Sequence, residues 1–142
     1  MIKICFICTG GTCRSIMAER LMKKIIKERK IEDVKVSSRG LFANGDNIAE
    51  NAKRALKKLK ASSANRKSIQ LAKIDKQTLY VVMTEPMKEK IQSQKVITMK
   101  NLIGRDISDP YGQSEQVYLQ TAYEIIEGIE KLLQNIVLWR EK

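Results

Sequence analysis

A chain of 142 residues, 43% of them hydrophobic, is sized for one domain with a proper core, and no long uncharged apolar run marks a membrane span. Twenty-seven Lys and Arg against 16 Asp and Glu leave a net charge of +11, which favours encounter with acidic partners. Aromatic residues make up only 5% and do not interleave with the basic ones, so nucleic acid is not expected as a partner, and neither is a membrane.

Met1 to Ile7 is apolar and β-branched and predicts a first strand, with no room for a signal peptide before it. The loop Cys8-Thr9-Gly10-Gly11-Thr12-Cys13-Arg14-Ser15 follows, and an amphipathic helix leaves it. Met17, Leu21 and Ile25 form one row of that helix and Ala18, Met22 and Ile26 the next, with Glu19, Arg20, Lys23, Lys24 and Lys27 expected on the solvent side. Val34 to Ser38 predicts a second strand ended by Gly40. Asn47-x-x-Glu50 reads as a capping box for a helix with Ile48, Ala52, Ala55, Leu56 and Leu59 as its apolar stripe. Residues 61–66 make a polar connection, and 68–76 are expected to hold a short helical turn.

Thr78 to Met83, apolar almost throughout, predicts a buried third strand. Glu85 to Gln94 suggests a short helix with Pro86 in its first turn, and Lys95 to Met99 a fourth strand. A loop from Asn101 to Gln113 leads to Ser114, which is placed to cap a long final helix. Tyr118, Ala122, Ile125, Ile126, Ile129, Leu132, Leu133 and Ile136 give that helix its inner face. Strands alternating with helices imply a single α/β domain over residues 1–142, a three-layer sandwich with a four-stranded parallel sheet and helices on both faces. Ligands in such folds bind at the carboxyl ends of the strands, where the cysteine loop falls.

A small-residue loop between strand and helix points backbone N–H groups into one concavity, and the helix adds its free N-terminal donors and dipole. Cys8 at the start of this anion cradle has amides, a helix N-terminus and the Ser15 hydroxyl directed at its sulfur, a setting in which the thiolate is the expected resting form. Arg14 supplies a planar two-pronged donor suited to two phosphoryl oxygens. Alone, a cysteine ending a parallel strand is a small buried hydrophobe. Joined to Arg14 and Ser15 at this spacing it reads as a nucleophile sharing an anion site with its clamp, the remaining loop residues Thr9, Gly10, Gly11, Thr12 and Cys13 lining the site.

Other readings of the loop fail. A Walker loop ends in Gly-Lys-Ser/Thr, and a dinucleotide fingerprint needs three spaced glycines. Cys5-x-x-Cys8 suggests half a zinc site, but Cys13 is the only further cysteine and the chain has no histidine, so no metal or other cofactor is expected. Three cysteines fit a reducing compartment, and a cytoplasmic location is expected. Without histidine, the proton donor to a leaving group must be another side chain. Asp109, in Asp109-Pro110-Tyr111-Gly112 after the fourth strand, lies at the same sheet edge as Cys8 and is the leading candidate. Asp-Pro also starts turns, and only the cysteine loop raises Asp109 above that reading.

The segment CTGGTCRSIMAE, together with the late DPYG, resembles the low-molecular-weight protein tyrosine phosphatase family, nearest its bacterial protein-arginine phosphatase branch. Ser38-Arg39-Gly40 echoes that family's Ser-Ala-Gly, so the likeness spans the chain. The resemblance implies Cys8 as nucleophile through a phosphocysteine, Arg14 as phosphoryl clamp and Ser15 as thiolate stabiliser. It also implies Asp109 as acid and then base, with phosphorylated proteins as partners and inorganic phosphate as product. Three positions depart from the family pattern: Gly11 for its usual Asn, Ile16 for Pro and Arg39 for Ala. These losses of loop bonding and preorganisation point to reduced activity, with a weak or non-catalytic phosphate-binding relative as the extreme.

Thr12 bears on the substrate. In the resemblance, tyrosine-directed members carry a bulkier aliphatic residue there and arginine-directed members threonine, which leaves room for a broad guanidinium. The acid loop has one aromatic, Tyr111, followed by Gly112, where tyrosine-directed members often have two. Tyr111 is able to stack on a phenol or a guanidinium, and Asp109 to pair with the latter. The expected substrate is phosphoarginine in proteins, with phosphotyrosine as the alternative. Arsenate reductases share the fold but need cysteines downstream, and none follows Cys13.

Overall fold

The computed structural model describes residues 1–62 and 65–140. Four strands, β1 (Ile2–Cys8), β2 (Val34–Gly40), β3 (Thr78–Val82) and β4 (Val96–Thr98), form one parallel sheet in the order β2-β1-β3-β4. Helices α1 (Arg14–Glu28), α2 (Glu50–Lys58), α3 (Met99–Ile103) and α4 (Glu115–Arg140) complete a three-layer α/β fold, with a 3-10 turn at Glu85–Lys90. The central strands β1, from Ile4 on, and β3 are buried throughout, which is why they read as continuous apolar runs rather than alternating ones. Strand order reverses beside β1, so the loop after it opens into the crevice at the switch point of the sheet.

The inner face of α4 is as the periodicity predicts, with Ile126 half-buried at its edge, and it packs on α1, α2 and α3. Ser114 Oγ accepts the Val117 N–H at 3.3 Å and caps the helix. Gly128 is a small residue for a packing reason. A Cβ there would come 2.6 Å from Met99 Sδ, so glycine lets α3 lie against α4.

Four expectations need correction. The capping box at Asn47 and Glu50 does not form: α2 starts after Ala49 without a side-chain cap, and Asn47 instead bridges Lys67 antiparallel. Residues 68–76 hold no helical turn. Their backbone groups are satisfied from outside, Ser68 N–H by Asp46 O at 2.7 Å and Leu71 N–H by Gly40 O at 2.9 Å, so the segment runs extended as a strap. The fourth strand stops at Thr98, because Thr98 and Asn101 form a capping box that starts the short α3 inside the expected loop. Glu19, expected in solvent, is 3% exposed and accepts the Ser38 hydroxyl at 3.0 Å and Arg66 Nη2 at 3.3 Å. Arg20 Nε stands 3.1 Å from its other oxygen at ion-pair distance, without hydrogen-bond alignment.

Candidate active site

β1 delivers Cys8 as its last residue, 2% exposed, opposite Gly40 at the end of β2. The Gly11 N–H donates to Cys8 Sγ at 3.3 Å, and Ser15 Oγ lies 3.0 Å from the same sulfur. With the hydroxyl as donor, two positive hydrogen ends meet the sulfur. The loop's carbonyls are occupied from outside: Cys8 O by Leu41 N–H at 2.9 Å, Thr9 O by Phe42 N–H at 2.8 Å and Thr12 O by Ala49 N–H at 3.1 Å. Gly11 has φ +70, a conformation that glycine adopts without strain. Its missing Cβ would sit 3.2 Å from Gly40 N, and a Cβ on Gly40 would come within 2.8 Å of Gly10 C and Gly11 N. The loop therefore lies on bare backbone.

Arg14, the first residue of α1, is 4% exposed. Its Nη1 donates to Ile107 O at 2.9 Å, and Ile107 N–H in turn donates to Met83 O at 2.9 Å beyond the end of β3. The other terminal nitrogen, Nη2, stands 3.6 Å from Asp109 Oδ2. The Asp109 side chain is 51% exposed, and its Oδ1 accepts the Tyr111 N–H at 3.1 Å, closing the turn over Pro110. Tyr111 is 72% exposed at the rim.

These elements enclose a cavity of about 240 Å³. Of the residues singled out from sequence, Cys8, Thr9, Gly10, Thr12, Cys13, Arg14, Asp109 and Tyr111 line it, while Gly11 and Ser15 act from behind on the sulfur. Larger clefts of about 470 and 600 Å³ at the β4 edge hold neither cysteine nor carboxylate. Cys13 has different neighbours from Cys8. Burial pushes its thiol up, against the opposing pull of hydrogen bonds with Tyr118 Oη at 3.3 Å and Thr12 Oγ1 at 3.6 Å. Tyr118 is likewise pushed up, first by burial and then by its bond to Cys13. Cys5, midway along the central strand β1, is also raised by burial.

Sequence reasoning missed Asp46, which lines the cavity from the β2–α2 connection. The signal was present, since Asp46 is the sole acidic residue between those elements, but nothing local said which way it would face. The strap was missed as well. Ser68 holds Asp46 at both backbone groups, Gln70 bridges Gly40, and Arg66 reaches the buried Glu19 and Ser38. Ile16, in place of the usual proline, is fully buried, and Arg39 Nη1 donates to Ser38 O at 2.6 Å. Among the described residues no three His, Cys, Asp or Glu side chains are grouped to hold a metal.

Cys8 and Arg14, both buried, share one small cavity at the carboxyl ends of a four-stranded parallel sheet, the arrangement expected of a phosphatase of the cysteine-loop class. Residues 3–141 match the model of the low molecular weight phosphotyrosine protein phosphatase family, and the chain belongs to that family. It is similar to a protein-arginine-phosphatase of Bacillus subtilis, 37% identical over 94% of this chain and 95% of the relative. A low molecular weight protein-tyrosine-phosphatase, PtpB, of Staphylococcus epidermidis is 31% identical over 92% and 96% of the two chains. Among solved structures, the YwlE arginine phosphatase of Geobacillus stearothermophilus superposes with a TM-score of 0.85 at 32% identity, covering 99% of this chain and 96% of the other. A YwlE arginine phosphatase mutant with serine for cysteine, its active-site serine phosphorylated, superposes at 0.83 with 35% identity and 95% of each chain covered.

Proposed function

We propose that this protein is a cytoplasmic, single-domain phosphatase that removes phosphoryl groups from arginine in proteins. Cys8 Sγ attacks phosphorus in line, the P–N bond to the guanidino group breaks, and a phosphocysteine forms. Arg14 and the loop amides hold the phosphoryl oxygens, and the proton that the departing nitrogen needs comes from Asp109. Asp109, now a carboxylate, takes a proton from water as that water attacks phosphorus, releasing inorganic phosphate and restoring the thiolate. The single observation that carries the chemistry is the meeting of Cys8, Arg14 and Asp109 in one small cavity, with Ser15 at 3.0 Å from the sulfur. Support for arginine comes from Thr12 on the cavity wall and from the arginine phosphatases among the relatives. Phosphotyrosine is the second reading, supported by the PtpB relatives and by Tyr111 at the rim.

The test is a paired assay on matched phosphoarginine and phosphotyrosine peptides, with Cys8→Ser alongside. Hydrolysis that favours phosphoarginine and vanishes in Cys8→Ser is expected. A preference for phosphotyrosine would reject the substrate assignment, and turnover surviving in Cys8→Ser would reject the nucleophile.

A further inference from the structure

The cavity that receives an anion has two carboxylates in its wall, and only one has a place in the chemistry. Asp109 is engaged, its Oδ1 by the Tyr111 N–H and its Oδ2 facing Arg14. Asp46, exposed to solvent, lines the same cavity from another loop, and among the described residues no hydrogen bond or ion pair engages its carboxylate. Its backbone is nonetheless held in place. The Asp46 N–H donates to Ser68 Oγ at 2.9 Å, the Ser68 N–H donates to Asp46 O at 2.7 Å, and the next residue bridges Lys67. Ser68 itself is buried.

A negative charge beside a phosphoryl pocket repels a dianion and weakens binding of any substrate that is only an anion. The charge is useful when the substrate carries a cation next to its phosphorus. Phosphoarginine does, because its guanidinium stays positive and keeps N–H donors after phosphorylation. A phosphorylated phenol offers neither. We infer that Asp46 is a specificity residue that accepts the guanidinium of phosphoarginine opposite Asp109 and disfavours phosphotyrosine, a role that rests on the arginine reading above.

The experiment compares wild type, Asp46→Asn and Asp46→Glu, using matched phosphoarginine and phosphotyrosine peptides and inhibition by inorganic phosphate. Loss of a charge-assisted bond predicts a fall on the order of 10-fold in kcat/KM for phosphoarginine in Asp46→Asn. The phosphotyrosine value should hold or rise, phosphate should inhibit at lower concentration, and Asp46→Glu should keep most of the arginine preference. A structural defect would instead lower both substrates together, and that outcome overturns the inference, as does an unmoved ratio. Wild type preferring phosphotyrosine is a separate result, which removes the substrate reading before any variant is compared.

Discussion

Replacing Gly40 with alanine tests whether the cysteine loop is shaped by contact with β2. Gly40 has ordinary backbone angles, so alanine suffers no torsional strain there, only collision. Its Cβ would lie 2.8 Å from both Gly10 C and Gly11 N and 3.0 Å from Gly10 O, all backbone atoms with no rotamer to escape into. Carbon contacts become comfortable at roughly 3.5 Å, so loop and strand must part by well over half an ångström. The Gly11 N–H that donates to Cys8 Sγ at 3.3 Å sits on the displaced peptide. Overpacking of this kind costs about 1–3 kcal/mol, or about 3–10 °C in Tm for a chain of this size. Misplacement of a site by about 1 Å costs on the order of 100-fold in rate, so a drop of roughly 10- to 100-fold in kcat/KM is expected. Gly45→Ala is the control. Its φ is +71 and nothing lies within 4 Å, so alanine there costs about 1–2 kcal/mol through torsion alone and leaves activity near wild type. Scanning calorimetry and steady-state turnover on both variants decide the matter. Full activity in Gly40→Ala, or equal losses in the two, would refute the argument.

Asp109→Asn should lower kcat by about 10²–10⁴ while inorganic phosphate still inhibits at near wild-type concentration, and unchanged turnover in the folded variant would remove Asp109 from proton transfer. Iodoacetamide near neutral pH, read by peptide mass spectrometry, should mark Cys8 and spare Cys5 and Cys13, whose thiols burial pushes up, and phosphate should protect Cys8. Equal labelling of Cys8 and Cys13 would contradict their assignment to different environments. Thr12→Ile should shift the ratio of kcat/KM away from phosphoarginine by roughly 5- to 100-fold through lost space and a lost polar contact, and a static ratio would leave Thr12 as packing only.

The sheet and the long helices were legible because their signals are local and repetitive. An apolar run such as Leu79 to Val82, or the inner stripe of α4, states its own burial. The nucleophile, clamp and acid were legible because the loop is contiguous and Asp109 follows a strand at the same edge. Most of what failed depended on partners distant in sequence, the local Thr98–Asn101 capping box being the exception. Ser68 to Leu71 looked helical but pairs with residues from Gly40 to Asp46, far back in the chain, so outside bonds overruled local preference. Glu19 sat on the polar side of a helical wheel, yet Ser38 and Arg66 reach over to bury it. Asp46 had no pattern around it, and the backbone bonds that hold it beside the cavity come from Ser68.

The two sides of the cavity are held by different elements. The Asp46 side is fastened through the strap to α1, β2 and the sheet edge at several points, so it shares a footing with Cys8 and moves with it. The Asp109 side is anchored by the buried Pro110, by the Ile107 N–H on Met83 O, by Asn51 on Gln113 O and by Arg14, with Tyr111 exposed at its tip. Both flanks of the cavity are thus fastened at the backbone, and movement at its mouth is left to exposed side chains. Widening to admit a bulky protein side chain, or to release phosphate, falls to Tyr111 at the rim. The ordering cost on binding is confined to such side chains, Tyr111 and Asp46 among them, while the backbone meets each ligand already shaped.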